Sequence, residues 1–291
     1  MTIKQQTDFI NGLENFPLQQ QTDELLKKYA WDLRFQEEHV LLPLEEFEKV
    51  QDQIKKSWGP EFQWEKDIPF ISFSNLMGLR DHIIKSDDDS VIGIVAPPGT
   101  GKSTFSLACA KIVDPNFTND RTIFTMEQLQ RFLKKVTKVY NQIKEANKEG
   151  LGGGKFTNPY HGSAVIIDEG LHMLFSGDAG TRAGKTATKL FSIIRALGII
   201  FIVNITNWSR ISKGVKEDRF KALFRIPAKG VVQFFSHARI NNIKLEKNRL
   251  VWPTPNFYEK MGFINRECDF WKEYDNKKSE FLLTATHEAI E

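Results

Sequence analysis

The 291-residue chain has two cysteines in unlike settings, Cys109 in an apolar helical run and Cys268 near the C-terminus. Thiols so placed support neither a disulfide framework nor a cysteine metal cluster, and they fit a reducing, cytoplasmic setting. Long apolar runs are also lacking. The longest central one, Leu197 to Ile205, is interrupted by Gly198 and Asn204 and falls far short of a bilayer span, so no membrane segment is expected. The opening Met1-Thr2-Ile3-Lys4-Gln5-Gln6 carries no hydrophobic signal core, and export is not expected either. His172 has no second metal-type ligand three or four residues on, which leaves no metal other than Mg²⁺ to consider. Nor is there a large excess of one charge, since 40 Lys and Arg meet 37 Asp and Glu for a net +3. The distribution is uneven, however. Between Ile205 and Leu250 eleven basic residues face three acids, a net +8. Such a stretch fits a phosphodiester backbone held through counterion release, and it also fits a solvated face.

What is present centres on Ala96-Pro97-Pro98-Gly99-Thr100-Gly101-Lys102-Ser103-Thr104, between the apolar run Val91–Val95 and the helical run Phe105–Ala110. A buried strand entering a glycine turn that opens a helix wraps backbone N–H groups around a polyphosphate. The pattern G-x-x-x-x-G-K-[ST] is met at Gly101, Lys102 and Ser103, while Ala96 replaces the first glycine. Gly99 and Gly101 still allow the backbone to approach phosphate closely. Lys102 is the expected partner of the β- and γ-phosphates of ATP and Ser103 an expected Mg²⁺ ligand, with the rest of Ala96 to Thr104 forming the cradle.

A second apolar strand, Ala164-Val165-Ile166-Ile167, ends in Asp168-Glu169 about 65 residues downstream of the loop. In that context the pair reads as a Walker B end: Asp168 holds Mg²⁺ through its water shell and Glu169 polarises the attacking water. As a helix cap the same pair would be structural. A third run, Gly198 to Val203, ends in the polar set Asn204, Thr206 and Asn207. In nucleotide hydrolases of the additional-strand class such a residue senses the γ-phosphate, and Asn204 and Asn207 both fit the place.

The remaining elements suggest an α/β fold with a mainly parallel central sheet, helices on both faces and a helical N-terminal appendage. The expected divisions are a helical accessory region over 1–75, an ATPase core over 76–255 and a helical extension over 256–291. Helices are expected from Leu76 to Ile84, Lys102 to Val113, Met126 to Glu149, Thr181 to Leu197 and from Asp269 onward, and Gly150 to Lys155 reads as a linker. Thr122-Ile123-Phe124 and Gly230 to Phe235 read as strands, and the run Ile243 to Trp252 is expected to close the sheet. Arg182 and Lys185 are candidates for reaching DNA or a neighbour's phosphate.

This order of elements resembles the RecA-type P-loop ATPases of the broad FtsK/HerA and zonular-occludens-toxin-like group, found on viruses, plasmids and related mobile elements. The resemblance rests on Ala96 to Thr104, on Val165 to Gly170 and on the block from Thr181 through Arg195 to Asn207. A fainter echo is Phe270-Trp271-Lys272-Glu273-Tyr274 with Lys277-Lys278. It implies Mg²⁺-dependent ATP hydrolysis driving DNA movement, as in genome packaging or plasmid-type transfer, by a homo-oligomeric ring in which a neighbour's arginine reaches the site. Arg210, Arg219 and Arg225 are the candidates for that arginine. Two other readings stand beside it. One is an ATP-binding adaptor resembling a helicase loader, docking a protein partner through its N-terminal region; the other is a nucleotide or nucleoside kinase, against which the Asp168-Glu169 pair argues.

Overall fold

The computed structural model describes residues 63–64, 69–86, 90–149, 158–168, 197–211, 215–216, 219–247, 249–262 and 264–290. Most of the expected N-terminal appendage, the glycine linker and most of the helix expected from Thr181 fall outside these residues. In chain order the elements are β1 (Gln63–Trp64), α1 (Phe70–Ser86), β2 (Ser90–Val95), α2 (Lys102–Val113), β3 (Thr122–Ile123) and α3 (Met126–Lys148). Then come β4 (Ala164–Ile167), β5 (Ile200–Ile205), β6 (Phe220–Ala228), β7 (Val231–Ser236) and the one-turn α4 (His237–Ile240). The last are β8 (Lys244–Glu246), β9 (Arg249–Val251), β10 (Phe257–Lys260), β11 (Ile264–Asn265) and α5 (Asp269–Ile290).

Seven strands form the central sheet in the order β10-β7-β6-β2-β5-β4-β3. Neighbours from β6 to β3 are parallel, whereas β7 and β10 add antiparallel. The fold is thus α/β with a mainly parallel sheet flanked by helices. Strand β5 inserts between the glycine-loop strand β2 and the Asp168 strand β4.

Alternate residues of a strand face opposite sides of a sheet, and the central strands here are apolar on both. Ile92 and Ile94 of β2 join Phe73, Leu76, Phe105, Phe224 and Trp271 beneath α1, α2 and α5. Val91 and Val95 join Leu133, Val136, Phe201 and Trp208 on the α3 side. Each fully buried Phe or Leu contributes about 2–3 kcal/mol relative to exposure. Helix α3 starts on a capping box, in which Thr125 Oγ1 accepts from Gln128 N (3.2 Å) and Gln128 Oε1 accepts from Thr125 N (3.2 Å).

Two expectations are corrected. The run Ile243 to Trp252 does not close the sheet: β8 and β9 pair only with each other, turning through Lys247 at φ 45°, and β10 takes the edge instead. The physical cause is the polar Glu246-Lys247-Asn248-Arg249 in the middle of the run, which favours a solvated turn over a buried strand. Helix α1 begins at Phe70 rather than Leu76, because its first turn is capped from far along the chain. Glu259 on β10 accepts from Ile71 N (2.5 Å), Ser72 N (2.8 Å) and Ser72 Oγ (2.5 Å).

Burial outweighs these donors and pushes the Glu259 carboxyl up from 4.5 to about 7. The folded chain therefore holds this proton more tightly than the unfolded one. Stability from this group is full below about 4.5 and is lost as pH rises through about 7. Glu259→Gln removes the titration. Between pH 5 and 8 the unfolding free energy of the variant should gain on that of the wild type by roughly 2–3 kcal/mol in denaturant titrations; an unchanging difference would contradict this assignment.

Candidate nucleotide site

Strand β2 delivers the glycine loop to the C-terminal edge of the parallel strands. Ala96, at the base, is buried in the core beneath α1 and α2, and its N–H donates to Ile205 O (3.3 Å) on β5. Its φ is not positive, unlike those of Gly99 (77°) and Gly101 (95°), so the position that departs from the glycine pattern demands no glycine. Thr100 Oγ1 donates to Pro97 O (2.8 Å) and closes the loop on itself, while Pro97, Pro98 and Gly99 form an exposed crown. Gly101 is the N-cap of α2 and has no side chain to cap it, so the first N–H groups of the helix, from Lys102 through Thr104, are offered to an anion. Lys102 is itself buried, and Ser103 and Thr104 are half-buried beside it.

Asp168 follows the last residue of β4. Its backbone N–H donates to Ile123 O (2.8 Å), and Asp114, at the end of α2, accepts Ala164 N (3.1 Å), so both ends of β4 are pinned. The Asp168 carboxylate is fully buried and is met by partners from β5 and α5. Asn204 Nδ2 donates to Oδ1 (2.9 Å), Tyr274 Oη donates to Oδ2 (2.5 Å), and the Lys278 ammonium lies 3.5 Å from Oδ2. Lys278 Nζ also donates to Ser103 Oγ (3.2 Å). Asn204 sits on β5 between β2 and β4, and its Nδ2 also donates to Ser106 Oγ (3.0 Å) on α2. Its Oδ1 is buried with no hydrogen-bond partner among the described residues, an acceptor beside the carboxylate.

The structure thus brings together Lys102, Ser103, Asp168 and Asn204 of the residues singled out in the sequence. Asn207 is exposed and committed to a local turn, its Oδ1 accepting from Ser209 N (3.0 Å) and Oγ (2.6 Å). Arg219 directly precedes β6, whose Phe220 is level with Val91, whereas the loop begins beyond Val95. It therefore stands at the opposite end of the sheet, roughly 20 Å away along the strand direction. Arg225 is level with Val95 but donates to Gln233 Oε1 (3.0 Å) and lies over the Trp252 ring (4.6 Å). Arg210 ends the short 3₁₀ turn after β5. Glu169, Arg182 and Lys185 lie outside the described residues.

Sequence reasoning assigned no role to Tyr274 and Lys278. The signal was available in α5, where Trp271, Tyr274, Lys278 and Phe281 recur at helical spacing and share one face. Trp271 and Tyr274 are buried, and Phe281 stacks on Phe124 at 5.4 Å. Asn119 Nδ2 donates to Phe270 O (2.8 Å), and Lys277 pairs with Asp120 (2.9 Å), a hydrogen bond that holds the Asp120 carboxyl below its ordinary value.

A hydroxyl and a carboxylate oxygen within 3.5 Å of one cationic nitrogen form a hard donor set that suits Mg²⁺. Ser103 and Asp168 are thus the residues that would hold the ion, the remaining ligands coming from phosphate oxygens and water.

No protein-family model and no curated protein matches the chain. Among solved structures it is similar to EssC (ATPases 2 and 3) from Geobacillus thermodenitrificans, at 13% identity and a TM-score of 0.36 over 69% of this chain and 45% of that one. It is also similar to the FIGL-1 AAA domain in complex with ADP, at 12% identity and a TM-score of 0.29 over 61% of each chain. The chain therefore spans less than two thirds of either. Among its described residues no helix is long and apolar enough to cross a membrane.

Truncating Asn204 removes a donor from a buried carboxylate. Asn204→Ala should lower the unfolding free energy by about 1–3 kcal/mol, whereas Asn207→Ala should change it by less than about 0.5 kcal/mol; equal effects in denaturant titrations would contradict the difference in their settings.

Proposed function

We propose that the chain is a Mg²⁺-dependent ATP hydrolase whose turnover moves DNA. The observation that carries the catalytic half is the convergence of Lys102, Ser103, Asp168 and Asn204 where the C-terminal ends of β2, β4 and β5 meet α2. The N–H groups at the start of α2 and the Lys102 ammonium bind and orient the triphosphate. Mg²⁺, when bound, neutralises phosphate charge. Asn204, whose Oδ1 has no hydrogen-bond partner among the described residues, would accept a hydrogen bond from the attacking water. Glu169 takes that water's proton as oxygen bonds to the γ-phosphorus and the bond to the bridging oxygen breaks, leaving ADP and phosphate.

The DNA half rests on the basic stretch. The chain leaves the sheet at Ser236, level with Ala222, and returns at Phe257, level with Phe234. The β8–β9 hairpin is part of that excursion, and Trp252, just after β9, lies over Arg225, which is level with Val95. Lys244, Lys247 and Arg249 are all exposed on it, a charge pattern that fits a phosphodiester backbone. Arg219 stands at the end of the sheet opposite the phosphate loop, away from its own site, and that position supports reading it as an arginine offered to a neighbouring subunit of a homo-oligomeric ring. Genome packaging or plasmid-type transfer, in a virus or mobile element, is the setting the sequence resemblance suggests.

Release of free phosphate from ATP should fall by ~100-fold or more in Lys102→Ala and in Glu169→Gln. Turnover unchanged in both, or phosphate transferred to a nucleoside instead of water, would sink the reading. For the DNA half, the double substitution Lys244→Ala and Arg249→Ala should weaken DNA binding and reduce the slope of log affinity against log salt by about 2. An unaltered slope would place the DNA contact elsewhere.

A further inference from the structure

The C-terminal helix does more than cover the sheet. Tyr274 and Lys278, one turn apart on α5, direct their polar ends at the same oxygen, Asp168 Oδ2, at 2.5 and 3.5 Å. Lys278 bridges the two groups that would hold the metal, since its Nζ also donates to Ser103 Oγ at 3.2 Å. The Lys278 side chain retains 21% of its exposure while that of Asp168 has none, so the ammonium reaches a closed carboxylate from a position with access to solvent. Its stem lies beside the Tyr274 ring, with Nζ 5.9 Å from the ring centre.

We propose that Lys278 is a tethered cation that competes with Mg²⁺ for Ser103 and Asp168, making α5 a latch over the nucleotide site. This rests on the reading of that site as an ATPase centre. A divalent ion held by Ser103 and Asp168 must take over the oxygens to which Lys278 now donates. Two cations drawing on one hydroxyl and one buried carboxylate repel strongly where water is excluded. The lysine is the one that can leave, because its four-carbon stem is flexible and partly exposed, whereas Tyr274 is packed against Phe124 at 6.2 Å and buried. Withdrawal of Lys278 removes one of the two ties that α5 makes to Asp168. The helix remains held by Trp271 and Asn119 at its beginning, and by the Lys277–Asp120 pair and the stacking of Phe281 on Phe124 further on, so the loosening falls on the part beyond Phe281, where Leu282 and Leu283 are exposed. Metal–nucleotide binding is thereby coupled to the C-terminal half of α5.

The test uses the full chain and a fluorescent ATP analogue, with Mg²⁺ titrated at fixed analogue in wild type, Lys278→Ala and Lys102→Ala. Hydrogen exchange over α5 is followed in the wild type alone, so that this readout needs no variant. The Mg²⁺ concentration for half-maximal binding should fall by about tenfold in Lys278→Ala, a change of 1.4 kcal/mol. Amides beyond Phe281 should exchange faster with analogue and Mg²⁺ than with analogue and a chelator. An unchanged or raised Mg²⁺ requirement in Lys278→Ala overturns the latch, the raised value being what a lysine that binds phosphate would give. Exchange over α5 that ignores Mg²⁺ overturns it as well. Wild type that binds no analogue, or Lys102→Ala that binds as the wild type does, overturns the ATPase reading itself and is recognised separately from failure of the latch.

Discussion

A buried carboxylate has to be surrounded by donors, and in this chain the need of Asp168 organises everything around it. Removed from water, an unpartnered carboxylate would cost several kcal/mol. The fold meets that cost with groups from two distant elements, the Asn204 amide from β5 and the Tyr274 hydroxyl and Lys278 ammonium from α5. Asn204 in turn reaches Ser106 on α2, so the carboxylate is linked through one amide to the helix that begins at the phosphate loop. The strand order makes this possible. Only with β5 between β2 and β4 does a polar residue near the end of one strand touch both the loop helix and the Asp168 strand.

Most of the parallel half was legible in the sequence because its signals are local. A strand buried on both faces reads as an unbroken apolar run, and Val91–Val95, Ala164–Ile167 and Ile199–Val203 each do. The glycine turn announces itself through Gly99, Gly101 and Lys102. What could not be read depended on partners distant in sequence. Helix α1 gains its first turn from Glu259, 188 residues from Ile71, which no local pattern around Phe70 records. Hydropathy made Ile243 to Trp252 look like one strand, and the charged residues at its middle decide that it is a hairpin.

The candidate site divides the same way. Lys102, Ser103 and Asp168 follow from motif spacing, whereas the choice between Asn204 and Asn207 depends on where β5 stops. The strand ends at Ile205, which leaves Asn204 inside the sheet and puts Asn207 into a turn. Tyr274 and Lys278 were hidden for a further reason. Helical periodicity shows that they share a face with Trp271, but not which surface that face meets, and Tyr274 lies 106 residues from the carboxylate it serves.

The Glu259 clasp has a consequence for how the chain is made. Helix α1 lies early in the described chain, while its cap arrives on one of the last strands, and Ser103 waits 175 residues for Lys278. On a ribosome the β2 and α2 segments emerge long before either partner, so the glycine loop is exposed to the cell before the fold around it is complete. Contacts that span so much of the chain place closure late in folding. The glycine loop is therefore synthesised long before the residues that complete the cluster around Asp168.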